Sequence, residues 1–277
     1  MCIDPGGAAL DEESSIVAPM TGGQGESVRT LAIVVPAFNE ERRLGALFEA
    51  LERDADRVAE AADLRLEEVI VVDDGSTDQT AALLGEYGGL DGRLRIVHFA
   101  RNQGKGAAVR EGMLRASVDF ALVTDVDLST PLDDLVTLVA ANGEDVDAAM
   151  GSRALRSSRV LVRQPAYREL MGKAFNLALR ILTRLPYRDT QCGFKLFRLD
   201  TTRVLFERQR VQGFAYDAEI CVLARQHGLR IVEVPVRWSN HPDTHVKLFA
   251  SSARMAFDLL RIAWLARRRS GGRSSRG

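Results

Sequence analysis

The sequence predicts a single α/β domain, built on a mostly parallel sheet with helices on both faces. Three observations carry this prediction. The chain has 277 residues, of which 46% are apolar and 27% charged, so it can bury one sizeable core. Four short apolar runs, rich in β-branched residues, are typical of strands buried on both faces. Segments with apolar residues at helical spacing separate them, as in a doubly wound sheet.

The four predicted strands lie in the first half of the chain. Their sequences are LAIVV (31–35), EVIVV (68–72), LRIVHF (94–99) and FALVT (120–124). Between the first two, Asn39 is a favourable N-cap residue for a helix, with Glu40 and Glu41 in its first turn, where the helix dipole favours anions. The apolar residues at helical spacing there are Leu44, Leu47, Phe48, Leu51 and Val58. This order of elements implies right-handed crossovers.

Further helices are predicted after the other strands. One should follow DDGSTDQT (73–80), and another should start near Gly104. After the fourth strand, Thr130 can cap a helix that has Pro131 at its first position, with Asp133 completing a capping-box-like pattern. The second half of the chain is less regular. Helices are expected at 169–185, 216–226 and 246–265, and a strand within RIVEVPVRW (230–238).

Composition sets the expected boundaries of the domain. Residues 1–29 are rich in Gly, Glu and Ser and lack a basic start followed by an apolar stretch, so we expect disorder there rather than a secretory signal. The domain is assigned to 30–240, an amphipathic C-terminal helix to 241–266 and a basic disordered tail to 267–277. No apolar run approaches the ~18 residues needed to cross a bilayer. The three cysteines show neither metal-ligand spacing nor a disulfide framework, which fits a reducing cytoplasm.

The net charge of −1 hides a strong division along the chain. Residues 1–152 hold 29 acidic and 12 basic side chains, whereas residues 153–277 hold 9 and 25. The division predicts that the second half meets something anionic, such as phosphates or a membrane surface. The alternative is that the two halves complement each other across the fold. Within 153–198, most basic side chains, such as Arg180 and Arg184, are expected to be solvated or to lie along a membrane face.

Polar segments follow all four predicted strands, and ligands of such sheets bind beyond the carboxyl ends of the strands. The segments are PAFNEE (36–41), DDGSTD (73–78), ARNQGKG (100–106) and DVD (125–127). Asp125 and Asp127 can turn both carboxylates to one side, as the hard oxygen ligands that Mg²⁺ or Mn²⁺ prefers beside phosphate oxygens. The alternative is an ordinary polar turn, which accounts for most isolated motifs of this kind.

The other polar segments can also meet a nucleotide. Asp73 and Asp74 can accept hydrogen bonds from a base or a ribose, or they can form a turn in which Ser76 or Thr77 caps the next helix. Lys105 lies between two glycines, where the backbone can come close to a ligand and the ammonium can meet a phosphate. The spacing of a P-loop is missing.

The motifs together resemble the family 2 glycosyltransferases with the GT-A fold, over residues 31 to about 240. The similar segments are VVPAFNEE (34–41), VIVVDDGSTDQT (69–80), RNQGKGAAVREGM (101–113), TDVDLSTP (124–131), GSR (151–153), DTQCGFKLF (189–197), GFAYDAEI (213–220) and VEVPVRW (232–238). The nearest likeness is to the dolichyl-phosphate (polyprenyl-phosphate) β-glucosyltransferase branch. Val126 departs from the alanine of many relatives.

This resemblance implies an inverting transfer of a hexose, expected to be glucose, from a nucleoside-diphosphate sugar, expected to be UDP-glucose, to a polyprenyl or dolichyl phosphate. It further implies a cytoplasmic protein in peripheral contact with the cytoplasmic face of a membrane, and no nucleic-acid partner. Three alternatives remain. They are a GDP-mannose-using polyprenyl-phosphate mannosyltransferase, transfer to a saccharide or small-molecule hydroxyl, and a non-catalytic sugar-nucleotide-binding protein.

The resemblance also implies roles for individual residues. The nucleotide-binding set is Pro36, Phe38, Glu40, Asp73, Lys105, Asp125 and Val126. The metal ligands for Mg²⁺ or Mn²⁺ are Asp125 and Asp127. The catalytic set is Asp127, Arg153, Arg168, Lys195 and Asp217, of which the three cationic residues meet phosphates.

The role of Asp217 depends on the acceptor. A hydroxyl needs a base during its attack, and Asp217 is then the candidate. A phosphate monoester is already largely ionised at neutral pH, and Asp217 and Glu219 would then organise the site. Asp189 is a weaker candidate for either role.

The last predicted helix combines apolar residues with a following arginine cluster. Its apolar residues include Phe249, Met255, Phe257, Leu260, Trp264 and Leu265. This pattern suits a helix in an anionic membrane interface. Alternatively, the helix packs on the domain and leaves a basic tail.

Overall fold

A seven-stranded sheet forms the centre of the computed structural model. The structure describes residues 28–143, 145–163, 165–240 and 248–267, without the side chains of Arg168 and of residues 248–256. The strands are β1 (Arg29–Ala37), β2 (Leu64–Asp73), β3 (Leu94–His98), β4 (Phe120–Val123), β5 (Ala148–Ser152), β6 (Arg159–Val162), β7 (Lys195–Arg198), β8 (Ile231–Pro235) and β9 (Arg237–Ser239). Most of the expected segments 1–29 and 267–277 lies outside the described residues.

The strand order in the main sheet is β3-β2-β1-β4-β7-β5-β8. All neighbours pair in parallel except β7, which runs antiparallel to both β4 and β5. The remaining strands, β6 and β9, form a separate parallel ribbon. The mostly parallel sheet expected from the sequence is therefore confirmed, with one reversed strand in its middle.

Helices cover both faces of the sheet, as expected. They are α1 (Leu44–Ala61), α2 (Thr80–Glu86), α3 (Lys105–Arg115), α4 (Asp134–Ala141), α5 (Ala166–Thr183), α6 (Leu199–Arg208), α7 (Tyr216–His227) and α8 (Leu248–Arg267). Successive residues of β1 point to opposite faces. Ile33 and Val35 pack with α1 and α4, whereas Val34 packs with α3, α6 and α7, so each face has its own apolar core.

Two predicted helix starts are wrong. α1 begins at Leu44, and Asn39 instead has a φ of 55° and accepts a hydrogen bond from the Thr77 backbone N–H at 2.8 Å. α4 begins at Asp134 rather than next to Thr130, and the C=O of Pro131 accepts the Asp134 N–H. In both places the polar residue that suits a cap belongs to the loop after a strand, and Asn39 is held there by hydrogen bonds with the loop after β2.

The predicted strand RIVEVPVRW is also corrected. It forms two strands, β8 and β9, which belong to different sheets and are separated by the buried residue Val236. β8 is an edge strand of the main sheet, whereas β9 lies outside that sheet and pairs with β6. Within the described parts of the chain, no helix combines the length and the apolar character that a membrane span requires.

Candidate active site

The loops after β1 and β2 meet at the carboxyl edge of the sheet. The Thr80 hydroxyl accepts the Glu40 N–H at 2.8 Å, and the Ser76 hydroxyl accepts the Asn39 N–H at 2.9 Å. The Asn39 side-chain oxygen in turn accepts the Thr77 N–H. These hydrogen bonds join the two loops, and the Phe38 side chain beside them remains 40% exposed at the edge.

Asp74 fastens the loop after β3 to the loop after β2. Its carboxylate accepts the backbone N–H groups of Gln103 and Gly104 at 2.7 and 2.8 Å, and the Asn102 side-chain amide at 2.9 Å. Burial raises the pKa of Asp74, although the two backbone N–H groups oppose this. Asp74 is therefore a structural residue of the rim, but the expected cap is not formed, because neither Ser76 nor Thr77 caps α2, whose N-cap residue is Gln79.

A cavity of about 560 Å³ opens between these loops. Its lining includes Phe38, Asp73, Ser76, Thr77, His98, Arg101 and Asn102. Asp73 is 2% exposed, and its carboxylate accepts the Ser76 N–H at 3.0 Å and contacts His98 Nδ1 at 3.1 Å. An aromatic side chain, a fixed carboxylate and an imidazole are groups that can receive a nucleoside. Sequence reasoning missed His98, which the apolar run LRIVHF concealed.

Lys105 and Asp125 join the third loop to the fourth. The Lys105 ammonium lies 2.5 Å from Asp125 Oδ1, and both side chains stay partly exposed, at 20% and 34%. Burial alone would raise the pKa of Asp125, but Lys105, and more weakly Lys195 and Arg153, outweigh it and hold that pKa below its ordinary value. Asp125 is therefore ionised at neutral pH.

Gly193 presses directly against Asp125. A Cβ at position 193 would overlap the Asp125 carboxylate, so only glycine fits there without movement. The segment before β7 therefore packs directly against the acidic motif. The sequence GFK (193–195) indicates a close backbone turn, but it does not reveal the contact with Asp125, because the two residues are far apart in the chain.

Asp127 and Glu40 bring further negative charge to the same place. The Ser129 N–H binds Asp127 Oδ1 at 2.9 Å, and Arg43 binds Glu40 at 3.0 Å. Burial raises the pKa of Glu40; Arg43 opposes this, whereas Asp127 and Asp125 add to it. The negative charges of Asp125 and Asp127 therefore repel that of Glu40 across the rim.

Two carboxylates at the rim fit a divalent cation that completes its shell with phosphate oxygens. Asp125 and Asp127 supply hard oxygen donors, and the mutual repulsion with Glu40 marks a place where positive charge is favoured. Over the described ranges there is no group of three or more His, Cys, Asp or Glu residues placed to hold a metal alone. The donor set fits a cation that is shared with a substrate.

Lys195 and Asp217 form a buried ion pair behind the rim. Lys195 Nζ lies 2.6 Å from Asp217 Oδ1, and the side chains are 3% and 5% exposed. The Lys195 ammonium also donates to the C=O of Cys192. Burial raises the pKa of Asp217, although Lys195 and Lys105 oppose it. The sequence predicts a phosphate contact for Lys195, and the structure places its ammonium in the interior, bonded to a carboxylate.

Arg153 is held in a fixed orientation beside this pair. Its guanidinium makes a two-point contact with Asp189, at 2.7 and 2.9 Å, and lies 5.4 Å from the ring centre of Trp238. Asp189 is in turn held by the N–H of Gln191 at 3.1 Å. The side chain of Arg168, the other predicted arginine, lies outside the described part, and its backbone belongs to α5.

The fold and this rim define a glycosyltransferase of the GT-A type, and the chain belongs to glycosyl transferase family 2, whose profile matches residues 32–206. A dolichyl-phosphate beta-glucosyltransferase of Trichomonas vaginalis is 33% identical over 237 residues, which cover 83% of this chain and 69% of that protein. The Homo sapiens dolichyl-phosphate beta-glucosyltransferase is 30% identical over 242 residues, covering 84% and 75%.

A similar solved structure is the glucosyl-3-phosphoglycerate synthase of Mycobacterium tuberculosis, in complex with Mn²⁺, UDP-glucose and phosphoglyceric acid. It has a TM-score of 0.62 and 20% identity, with coverage of 85% of this chain and 80% of that one. The likeness confirms the predicted fold.

Proposed function

We propose that this chain transfers glucose, with inversion, from UDP-glucose to a polyprenyl or dolichyl phosphate. The names of the relatives that are 30% or more identical support glucose as the sugar and dolichyl phosphate as the acceptor, and the UDP-glucose complex of the similar solved structure supports the nucleotide. The fold supports it independently, because the rim combines a nucleoside-sized cavity with cationic and acidic groups suited to a diphosphate. Residues 30–240 would form the catalytic domain.

In this proposal the donor lies along the rim. Phe38 and Asp73 receive the nucleoside, beside Pro36 and Glu40, and Lys105 meets the diphosphate. Asp125 and Asp127 would hold Mg²⁺ or Mn²⁺ together with phosphate oxygens, and Val126 would present its backbone. When bound, the cation neutralises charge on the departing diphosphate. A cation bound there would also offset the electrostatic repulsion between Asp127 and Glu40.

The state of Asp217 favours a phosphate as the acceptor. This carboxylate would be the base for a hydroxyl acceptor, yet it is 4% exposed and its oxygen is engaged by Lys195. A phosphate monoester needs no such base, because it is already ionised at neutral pH. Asp189 engages Nε and Nη2 of Arg153, so Arg153 would meet a phosphate through the remaining N–H donors of its guanidinium, while Lys195 and Asp217 support the site from behind.

The direct test is an assay with labelled sugar nucleotides. UDP-glucose and GDP-mannose are incubated separately with polyprenyl phosphate, with Mg²⁺, with Mn²⁺ or with EDTA, and lipid products are identified by mass. We expect a glucolipid from UDP-glucose that EDTA abolishes. Absence of a glycolipid from either donor would overturn the proposal, whereas a mannolipid alone would establish the mannosyltransferase alternative.

Matched variants test the assigned metal ligands. Asp125→Asn combined with Asp127→Asn should remove cation-dependent turnover. Asp133→Asn serves as the control, since Asp133 lies in the same segment, is 47% exposed and pairs only with Arg57 among the contacts the structure shows for it. Unchanged turnover and cation dependence in the double variant would refute the assignment.

A further inference from the structure

Exposed apolar side chains are concentrated on one part of this protein. Of the sixteen large apolar side chains that are strongly exposed within the described residues, eleven lie on β6, α5 and α8. Single exposed apolar residues are normal on any surface, whereas a contiguous group marks an interaction site. These three elements are therefore the strongest candidates for an interaction site.

α5 is apolar on two sides. Its inner side places Leu179 in the core below the sheet. Its outer side carries Leu170, Leu177 and Ile181, which are 69%, 57% and 68% exposed. These positions differ by 7 and 4 residues, so they lie along one face of the helix. A helix with a second apolar face needs something other than its own domain to cover it.

The neighbouring elements extend this face. α8 packs against α5 and buries Ile262 in the same core, while Phe257 and Leu260, on its opposite side, are 68% and 65% exposed. β6 leads into α5, and its residue Leu161 is 62% exposed. We name the exposed faces of β6, α5 and α8 together the docking surface.

Basic residues are frequent in the part of the chain that contains β6 and α5. Between residues 153 and 188 the chain has nine Lys or Arg residues and one acidic residue, Glu169, which pairs with Lys173. An apolar face with a basic margin matches a bilayer that has anionic head groups, because the apolar side chains enter the acyl boundary and the cations remain among the phosphates. A second copy of the chain would bring two basic margins together, which opposes self-association.

The docking surface is physically connected to the candidate active site. Val160 of β6 pairs with Trp238 of β9, and the Trp238 ring lies against the guanidinium of Arg153. A surface that rests on a bilayer through β6 would therefore bring Arg153 close to the head-group layer. This is the layer in which the phosphate of a lipid acceptor lies.

We propose that β6, α5 and the outer face of α8 dock this protein onto an anionic lipid bilayer, with the active-site arginine next to the head groups. The link to a lipid acceptor rests on the proposed function, but the docking does not. The chain attaches through the surface of its folded domain, in addition to the C-terminal helix considered from the sequence.

Vesicle flotation with the full chain tests this proposal. The protein is mixed with vesicles of phosphatidylcholine alone, or of phosphatidylcholine and phosphatidylglycerol at about 2:1, and floated on a gradient. The test variant carries Leu170→Gln, Leu177→Gln and Ile181→Gln. The control carries Leu83→Gln and Val136→Gln, which are exposed apolar residues of α2 and α4.

We expect the native chain and the control to float with the anionic vesicles, and the triple variant to bind at least about tenfold more weakly. Glutamine is compatible with a helix and these positions are exposed, so the fold should persist, which circular dichroism checks. A second variant, Phe257→Gln with Leu260→Gln, tests α8 independently. Both variants should weaken flotation.

Several results would overturn the proposal. They are absence of flotation by the native chain, equal binding by the triple variant and the control, and equal binding to neutral and anionic vesicles. If light scattering finds the native chain as a dimer and the triple variant as a monomer, the surface would belong to a contact with a second copy instead. Flotation requires no donor, acceptor or cation, so a protein that floats without making glycolipid refutes the proposed function and leaves the docking intact.

Discussion

The buried pair of Lys195 and Asp217 allows a quantitative prediction. Both side chains are at most 5% exposed and their charged atoms are 2.6 Å apart. Replacing Lys195 by Met leaves the Asp217 carboxylate buried without its principal cation. Removing one partner of such a pair costs about 3–5 kcal/mol, whereas replacing both partners by neutral residues costs far less. We expect Lys195→Met to lose that amount, and Lys195→Met with Asp217→Asn to recover at least about 2 kcal/mol of it.

Urea denaturation followed by circular dichroism measures these free energies of unfolding. Lys173→Met is the control, because Lys173 is 71% exposed and forms only a surface pair with Glu169. Its loss should stay within about 0.5 kcal/mol. A loss below about 1 kcal/mol for Lys195→Met, or a double variant as unstable as the single one, would refute the reasoning about the buried pair.

The same variant should show a characteristic pH dependence. Burial already raises the pKa of Asp217 in the native protein, and loss of Lys195 removes the largest opposing charge. A carboxyl group whose folded pKa exceeds its unfolded value takes up protons on folding. Stability is therefore greatest below the unfolded pKa and falls as the pH rises through the folded pKa. Lys195→Met should thus regain stability on acidification relative to the native chain, and a parallel pH profile of the two proteins would contradict this.

Three further predictions concern the rim. Gly193→Ala should lower kcat/KM about 100-fold by displacing the Asp125 carboxylate, the proposed metal ligand, while Gly85→Ala, where a Cβ meets nothing within 4 Å, leaves activity unchanged. Asp74→Ala leaves three donors without their acceptor and should cost roughly 2–5 kcal/mol of unfolding free energy, measured in urea. Arg153→Lys loses the two-point contact and should lower kcat at least about tenfold with intact folding; native kinetics would refute its positioning role.

The sequence was sufficient to predict those parts of the molecule that depend on local patterns. Continuous apolar runs correctly indicated β1 to β4, and the polar segments after them do meet at one edge. Local cap patterns failed at Asn39 and Thr130, because the loop after each strand continues past these residues before the helix begins. β5, β6 and β7 are only four or five residues long, and nothing in so short a run distinguishes a strand from the end of a helix.

The candidate site shows the same division. Asp125 and Lys105 belong to recognisable motifs and do lie together. The partner of Lys195, in contrast, is 22 positions away, and that of Arg153 is 36 positions away. Neither separation corresponds to a helical or strand period, so only the packing of the second half onto the sheet could reveal which cations remain at the surface.

The antiparallel strand β7 brings two segments of the candidate site into contact. β7 begins with Lys195 beside Val123, where β4 ends, so the segment that enters β7 adjoins the segment that leaves β4. Because Gly193 touches Asp125, any movement of the segment before β7 acts directly on Asp125 in the segment after β4. In the proposed metal site, a compound that shifts the entering segment should therefore change the affinity of Asp125 for the cation, and by thermodynamic reciprocity the cation should change the affinity for that compound to the same degree.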